Sequence, residues 1–248
     1  ITGASSGQGR QFALQMAKRG FNILIIGSKR SYLVKKEIES MYGGVKVDCI
    51  IKNFCNAFKD DFFSDIQQKF KELHGKISIL INNVAHRVAW IPYHEMPTEL
   101  IRNTISCGTI VQSRLIHMLI PQFLSRIKRS AIVNITAQCN HPTFGLGVVM
   151  SNDISVPYLS VYEASNAFGY YHSNSIYEEY KDRLDILNIT PGAVLTKNTK
   201  YLHKTPFNID CATYVDNIVK MIGTVNGTTC AHWGHALSMY LINFNPFG

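Results

Sequence analysis

The sequence predicts an α/β fold in which helices cover both faces of a doubly wound parallel sheet. Strand-like apolar runs alternate with helical patterns along the chain, as they do when each strand is followed by a crossover helix. The runs are short and lack polar alternation, which is typical of strands buried on both faces. No repeat or low-complexity linker interrupts the pattern, and 248 residues fit one core. We therefore predict a single domain over residues 1–248.

Each element follows from its local pattern. Predicted strands cover residues 22–27, 45–51, 77–81, 131–135 and 184–189. Predicted helices cover residues 10–19, 31–42, 60–73, 98–126 and 162–181. A break in the longest helix is expected near Gly108 or Pro121, since glycine and proline both weaken helices. The strand before the first glycine-rich turn is cut to Ile1 and Thr2, so we interpret the chain as a fragment truncated in its first strand.

The charge balance points to anionic partners of some kind. There are 25 Lys and Arg against 17 Asp and Glu, which gives a formal net charge of +8. This excess suits phosphate-bearing ligands, anionic membrane surfaces or acidic proteins, or it is a generally basic surface with no particular partner. No compact basic tract is present, so we do not expect nucleic acid binding. Only 17% of residues are charged, which predicts uncharged surface areas that serve as contacts.

Cysteine spacing and hydropathy add weaker constraints. The six cysteines are scattered and form no C-x-x-C pair, so reduced thiols are expected and no metal site is predicted. The printed residues contain neither a signal-peptide pattern nor an apolar run long enough to cross a bilayer. Residues 235–247 are uncharged apart from their histidine. This tail is either core or a contact with a membrane or a partner.

The segment TGASSGQG, residues 2–9, lies between the truncated strand and the first predicted helix. Glycine there lets a pyrophosphate approach the backbone amides, and the following helix offers unpaired N–H groups and a partial positive charge. A glycine cluster of this kind is also found in plain tight turns. The predicted phosphate contacts are Gly3, Ser5, Ser6, Gly7 and Gly9.

Further motifs follow in a recognisable order: NNVA at residues 82–85, a helix that carries Tyr162, and Pro191-Gly192 with Thr196. Together they resemble the short-chain dehydrogenase/reductase family. The Asn-Asn-Val phrase, YEEY at residues 177–180 and residues 227–237 are similar to very-long-chain 3-oxoacyl-CoA reductases and 17-beta-hydroxysteroid dehydrogenases. The resemblance implies a Rossmann-type sheet of about seven strands with a dinucleotide across its carboxyl ends. It implies cofactor contacts from the glycine segment and from Asn82, Val84, Tyr162, Pro191, Gly192 and Thr196.

Residues after the second strand bear on the choice of cofactor. No acidic residue is present there to bind the ribose hydroxyls of NAD, whereas Lys29 and Arg30 could neutralise the 2′-phosphate of NADP. A solvated basic turn is the alternative. Asn53 stands where the family often has an adenine-contacting Asp, and its amide can still make that contact. Gln8 and Ala85 also depart from the usual residues.

The resemblance further implies a catalytic tetrad of tyrosine, lysine, serine and asparagine. Tyr162 is retained, although a tyrosine at a helix start also serves for packing alone. Asn166 stands at the lysine position, Ala137 at the serine position and Gly108 at the asparagine position. Thr136 carries a hydroxyl but points to the opposite face of its strand. Three of the four positions are thus replaced, and we expect conventional catalysis to be lost.

Residues 138–161 form a longer connection than the family usually has, rich in loop-forming residues. We expect an extended loop over the former active site, either a lid or a plug that doubles as a docking surface. The hypothesis from the sequence is an inactive family member that binds NADP(H) and acts as a structural or regulatory subunit of a larger, membrane-associated complex or as a homodimer. The alternative is an active NADPH-dependent reductase of a 3-oxoacyl-CoA or a steroid ketone. The expected location is intracellular, at the endoplasmic reticulum or in mitochondria.

Overall fold

A computed structural model describes residues 1–86, 88–138, 143–144, 148–149, 156–196, 199 and 202–243. The strands are β1 (Ile23–Gly27), β2 (Val47–Ile51), β3 (Ile79–Asn82), β4 (Ser130–Ile135), β5 (Thr143–Phe144), β6 (Val148–Val149), β7 (Leu184–Ile189), β8 (Val194–Leu195), β9 (Ile209–Asp210) and β10 (Gly227–Thr229). The α-helices are α1 (Gly7–Lys18), α2 (Ser31–Met41), α3 (Ser64–Glu72), α4 (Thr98–Ile105), α5 (Val111–Leu124), α6 (Ser160–Tyr180), α7 (Cys211–Met221) and α8 (Trp233–Asn243).

Thr2 joins two parallel ladders into one sheet. One ladder pairs β1 with β2, and the other has the order β10-β7-β4-β3. The backbone N–H of Thr2 donates to the carbonyl of Ile81 in β3 at 3.0 Å, and the N–H of Gly3 donates to Ile26 in β1 at 3.0 Å. The strand order is therefore β2-β1-Thr2-β3-β4-β7-β10. This confirms the predicted doubly wound parallel sheet of seven strands, with its switch point at Thr2.

Two hydrophobic cores lie on the two faces of the sheet, as predicted for a doubly wound fold. One core packs α1, α2 and α7 against the sheet, and the other packs α3, α5 and α6. Successive residues of a central strand belong to different cores. In β4, for example, Val133 belongs to the first core and Ile132 to the second. Successive side chains of a strand point to opposite faces, so both must be apolar here.

The long helix predicted over residues 98–126 is interrupted. It consists of α4, a π-helical segment from Ser106 to Ile110, and α5. The interruption is centred on Gly108, one of the two predicted positions. Pro121 lies inside α5 and does not end it.

Other boundaries differ from the prediction. The first helix begins at Gly7 instead of residue 10, and residues 60–63 form turns before α3. The prediction assigned no element to residues 211–221, which form α7 with Asp210 as its N-cap. The aspartate and the apolar spacing of Tyr214, Val215 and Ile218 were the available signals.

Residues 235–243 of the uncharged tail belong to α8, and the remainder of the tail lies outside the described residues. His235 is buried, whereas Leu237 and Tyr240 are exposed, so this helix contributes to the core on one face and is open on another. Within the described residues, no helix combines the length and the apolar character needed to cross a membrane.

Ile132→Ala should lower the free energy of unfolding by about 2–5 kcal/mol, because Ile132 is fully buried at the centre of the sheet and its truncation leaves a cavity. The matched control Ile127→Ala changes a fully exposed isoleucine and should alter stability by less than about 0.5 kcal/mol. Urea unfolding followed by circular dichroism measures both. Equal losses in the two variants would contradict the assigned core.

Candidate functional site

The glycine-rich turn crosses the carboxyl edge of the sheet beside Thr2. Gly3 and Gly7 adopt the left-handed conformation, with φ of +67° and +55°. A Cβ atom on Gly9 would lie 2.5 Å from the carbonyl oxygen of Gly3. Glycine at position 9 therefore allows α1 to pack directly against the turn, which brings the start of the helix over the end of the strand.

The first turn of α1 is available for an anion. Ser6 is the N-cap residue with an extended backbone, and its side chain makes no capping hydrogen bond. Ser6 is also exposed, and Ser5 is partly exposed. The amide groups and the partial positive charge of the helix start suit a phosphate group. The structure thus brings together all five residues of the predicted phosphate site.

Thr2 also holds the NNVA motif beside the turn. Its hydroxyl accepts hydrogen bonds from the N–H groups of Asn83 at 2.9 Å and Val84 at 3.1 Å. The side-chain amide of Asn83 donates to the carbonyl of Thr2 at 3.2 Å. Asn82 instead points into the sheet, where its amide donates to Asn134 Oδ1 at 2.8 Å. Val84 therefore lies beside the predicted groove, whereas the Asn82 side chain is part of the interior.

Lys29 and Arg30 extend from the carboxyl end of β1. Both are exposed, and neither forms an ion pair within the part of the chain that the structure describes. The nearby Arg10 is by contrast paired with Glu37. Two unpaired cations at this edge fit the predicted 2′-phosphate contact. Asn53 is exposed, and its side-chain oxygen accepts from the N–H of Cys55 at 3.2 Å, which leaves its amide group to donate.

The Pro191-Gly192 loop approaches the glycine turn from the other side. A Cβ atom on Gly7 would lie 3.9 Å from the methyl group of Thr196. The N–H of Gln138 donates to the carbonyl of Pro191 at 3.0 Å, and the Gln138 side chain donates to the carbonyl of His235 at 2.7 Å. The loop is therefore held by Gln138, which follows β4, and by His235 of α8.

His235 is a residue of this region that the sequence analysis did not assign to the site. Its Nδ1 accepts from the N–H of Gly192 at 3.2 Å, so Nε2 carries the proton and faces the carbonyl of Ala193 at 3.3 Å. Burial disfavours the imidazolium form and lowers the pKa of His235 below its usual value. Its position as the one histidine in the tail was the available signal. It fixes α8 on the Pro191-Gly192 loop.

Tyr162 is half-buried near the start of α6. The side chains of Ser165 and of Asn166, which stands at the implied lysine position, are both engaged within that helix. The side-chain amide of Asn166 donates to the backbone carbonyl of Tyr162 at 2.9 Å. The hydroxyl of Ser165 donates to the same carbonyl at 2.7 Å. Asn166 is buried, so this hydrogen bond satisfies its amide inside the protein.

The hydroxyl of Thr136 does not replace the missing serine. It donates to the backbone carbonyl of Ile189 in β7 at 3.0 Å. The neighbouring Ala137 is buried and has no hydroxyl. The strand end therefore provides no hydroxyl of its own to orient a substrate carbonyl.

Gly108 lies where the π-helical segment meets α6. A Cβ atom at this position would lie 3.0 Å from both Cβ and Oγ of Ser165. An asparagine side chain therefore requires Ser165 to move. The replacements at positions 108 and 166 belong to one packed contact between the two helices.

A small enclosed cavity of about 20 Å³ remains at the centre of this region. Its size corresponds to about one water molecule. It is lined by Asn82, Val84, Ala85, His86, Thr104, Cys107, Gly108, Gln112, Ile135, Thr136, Tyr162, Ser165 and Asn166. Among the described residues, Asn82 Oδ1 and His86 Nδ1 are buried without hydrogen-bond partners. No motif in the sequence indicates a role for His86.

Most of the predicted extended loop at residues 138–161 lies outside the described residues, including the part expected to act as a lid or plug. The described parts contain a short antiparallel pair, β5 with β6, which an irregular loop does not predict. The end of the segment is held against α6 by Glu163, whose carboxylate accepts a hydrogen bond from the N–H of Val156 at 3.0 Å. Glu163 is buried, so this bond anchors the segment to α6.

Comparison with known proteins agrees with the fold and the motifs. A model of the short chain dehydrogenase family matches residues 1–206, and the chain belongs to that family. The very-long-chain 3-oxoacyl-CoA reductase of Vanderwaltozyma polyspora is 30% identical, with 96% of this chain and 68% of that protein covered. The human 17-beta-hydroxysteroid dehydrogenase type 3 is also 30% identical, covering 99% of this chain and 74% of that protein. These relatives confirm the branch that the motifs indicated.

Another relative is named as inactive, whereas the two relatives above are named as enzymes. The human inactive hydroxysteroid dehydrogenase-like protein 1 is 26% identical, covering 99% of this chain and 71% of that protein. Among solved structures, a short-chain dehydrogenase from Sphingobium yanoikuyae in complex with NADPH has a TM-score of 0.75 at 21% identity, covering 100% of this chain and 96% of that chain. The structural likeness confirms the Rossmann-type fold.

Gly9→Ala should destabilise the protein by about 1–3 kcal/mol, because the added methyl group overlaps a backbone carbonyl. Gly43→Ala is the matched control, since a Cβ atom there meets nothing within 4 Å, and it should change stability by less than about 0.5 kcal/mol. Urea unfolding measures both variants. A tolerated Gly9→Ala would show that the turn and α1 are not packed as described.

The protein should lose stability as the pH falls from about 7.5 to about 5.5. The pKa of His235 is lowered in the folded state, so the unfolded chain takes up a proton that the folded chain does not. The contribution of neutral His235 to the free energy of unfolding is therefore fully present above the pKa of histidine in the unfolded chain, and it is lost as the pH falls below that value. His235→Gln should reduce this pH dependence, whereas the exposed control His94→Gln should leave it unchanged. Thermal unfolding across the pH range is the measurement, and identical pH profiles for both variants would contradict this role.

Proposed function

We propose that this protein binds NADP(H) but no longer transfers hydride, and that it acts as a structural or regulatory subunit of a larger complex. The hydrogen bond from Asn166 to the carbonyl of Tyr162 carries the proposal. Asn166 occupies the position at which the family resemblance implies a lysine. A neutral amide whose donor is already engaged cannot supply that lysine's charge.

The missing charge has a large expected effect. Free tyrosine has a pKa of about 10, so it is a poor proton carrier near neutral pH without a neighbouring cation. A unit charge at about 4 Å contributes about 4 kcal/mol at an effective dielectric of about 20. Its loss corresponds to about a thousandfold in rate. Ala137 and Gly108 remove two further groups, and the small cavity beside Tyr162 is consistent with the loss.

The nucleotide-binding part of the site is better preserved. Ser6 and the start of α1 would hold the pyrophosphate, while Lys29 and Arg30 would neutralise the 2′-phosphate. Thr196 reaches the same groove from the Pro191-Gly192 loop. When bound, NADPH supplies a hydride donor. The surrounding residues support binding more strongly than they support proton transfer.

A second candidate is an active reductase of a 3-oxoacyl-CoA or a steroid ketone. Tyr162 and His86 both line the cavity, and two relatives at 30% identity are named as enzymes of these classes. Under this alternative, Tyr162 would act with assistance from groups outside the implied tetrad. The relative named inactive, at 26% identity, supports the first proposal.

The proposed setting is an intracellular membrane-associated complex, at the endoplasmic reticulum or in mitochondria. The low fraction of charged residues, 17%, and the net charge of +8 favour contact with other components. The simplest such assembly is a homodimer of this chain. Size-exclusion chromatography with light scattering distinguishes a self-associating chain from one that needs another protein.

Arg30→Glu should weaken NADPH binding by about tenfold or more while leaving NADH binding nearly unchanged, because only NADPH carries the 2′-phosphate. The matched control Lys36→Glu makes the same charge change at an exposed lysine on α2 and should leave the preference intact. Titration of the reduced nicotinamide fluorescence measures both. If Arg30→Glu weakened NADPH and NADH binding equally, a specific contact with the 2′-phosphate would be excluded. If the parent chain bound neither NADPH nor NADH, only a structural role would remain.

The double variant Ala137→Ser with Asn166→Lys should gain NADPH-dependent reduction of a 3-oxoacyl-CoA or steroid ketone that the parent chain lacks. Adding Gly108→Asn requires Ser165→Gly as well, since the asparagine would otherwise meet the Ser165 side chain. Each variant is compared with its Tyr162→Phe counterpart. Turnover by the parent chain that Tyr162→Phe abolishes would favour the active reductase.

A further inference from the structure

The amino-terminal edge of the sheet, opposite the candidate site, carries exposed cations around one exposed isoleucine. Because the strands are parallel, the segments that precede β3, β4 and β7 all meet at this edge. They contribute the residues that we call the basic edge: Lys71, Lys76, Arg126, Ile127, Lys128 and Arg183. All of these residues are exposed except Arg126, which is half-buried.

Hydrogen bonds make the basic edge one continuous surface. The guanidinium of Arg126 donates to the carbonyl of Gly75, which joins the segment before β4 to the segment before β3. Arg183 donates to the carbonyl of Leu124 at 2.7 Å, and Arg129 donates to the carbonyl of Asp182 at 2.8 Å. The segment before β7 is thereby fixed beside the other two.

The charge of this surface is strongly positive. Two neighbouring cations are neutralised, since Arg129 pairs with Asp185 at 3.0 Å and Lys181 pairs with Glu178 at 2.6 Å. Within the described part of the chain, the five cations of the basic edge form no ion pair with a carboxylate. Glu72, which pairs with Lys69 at 3.8 Å, and Asp182 are the acidic residues next to these cations in the sequence, and the five cations outnumber them. An anionic partner is therefore favoured here.

Ile127 indicates which kind of anionic partner this surface binds. Its side chain is 105% exposed, the highest value among the exposed large apolar residues, and Arg126 and Lys128 flank it. A single exposed isoleucine is ordinary on a protein surface, but one raised on a loop between cations matches a lipid headgroup layer. The cations would contact phosphate or carboxylate groups, and the aliphatic side chain would enter the boundary with the acyl chains.

We propose that the basic edge docks this protein on an anionic lipid bilayer, with Ile127 inserted between the headgroups. Single-stranded nucleic acid fits less well, because none of the six residues provides an aromatic ring on which a base could stack. Duplex nucleic acid offers phosphate groups but no apolar layer for Ile127. The docked orientation turns the carboxyl edge of the sheet, and with it the nucleotide groove, away from the lipid surface. The proposal does not depend on whether the protein is catalytically active.

Sedimentation of the purified chain with vesicles tests this surface. The chain should bind vesicles of phosphatidylcholine with phosphatidylserine, should bind weakly to phosphatidylcholine alone, and should be released by high salt. Lys128→Glu should weaken binding by about thirtyfold, since it removes one attraction and adds one repulsion. Ile127→Asp should weaken binding at least as much. Circular dichroism and thermal unfolding establish that the variants are folded.

Matched controls separate the basic edge from general charge. Lys36→Glu gives the same net charge as Lys128→Glu, and Leu33→Asp replaces an apolar residue that is 67% exposed on α2. Both controls should retain binding to the anionic vesicles. Equal losses in the controls, or no binding by the parent chain, would overturn the proposal. Binding to duplex DNA but not to the vesicles would assign the surface to nucleic acid instead.

Discussion

The architecture depends on the hydrogen bonds of Thr2. Its backbone joins the β1–β2 ladder to the β3–β4–β7–β10 ladder, and its hydroxyl accepts from Asn83 and Val84. One residue therefore fixes the position of the glycine turn relative to the NNVA segment. The close approach of Gly9 to the Gly3 carbonyl then sets where α1 begins. Binding of a nucleotide phosphate at this edge requires both features, because the helix start and the strand ends must converge.

The positions at which the family resemblance implies catalytic residues are linked by packing and hydrogen bonds. Gly108 permits close contact with Ser165, Ser165 and Asn166 both donate to the carbonyl of Tyr162, and Thr136 is engaged with β7. The side-chain donors of Ser165, Asn166 and Thr136 are thus satisfied locally. Under the proposed function, packing contacts stand here where the family resemblance implies catalytic groups. Restoring one residue at a time is therefore expected to disturb neighbouring contacts.

Much of the fold could be predicted because its signals are local. The apolar runs of β1, β4 and β7, the glycines at positions 3, 7 and 9, and the break near Gly108 all follow from residue type and spacing. His235 and His86 could not be placed, because their roles depend on contacts between residues far apart in the chain. The same reason applies to Thr136, whose carbonyl partner lies in another strand. Residues 210–221 carry an N-cap aspartate and apolar spacing from which α7 could have been predicted.

The two edges of the sheet have different chemistry. The carboxyl edge offers helix-start amides and two unpaired cations to a nucleotide, whereas the amino edge offers loop cations and an exposed isoleucine. This separation is compatible with a protein that is held at a surface while its nucleotide groove stays accessible.

The central claim is that nucleotide binding persists without hydride transfer. The most direct test incubates the chain with NADPH deuterated at the transferable position and a set of 3-oxoacyl-CoA and steroid ketones. Saturable nicotinamide fluorescence without deuterium in any alcohol product, measured by mass spectrometry, is the predicted result. A deuterated alcohol whose formation is abolished by Tyr162→Phe would contradict the account.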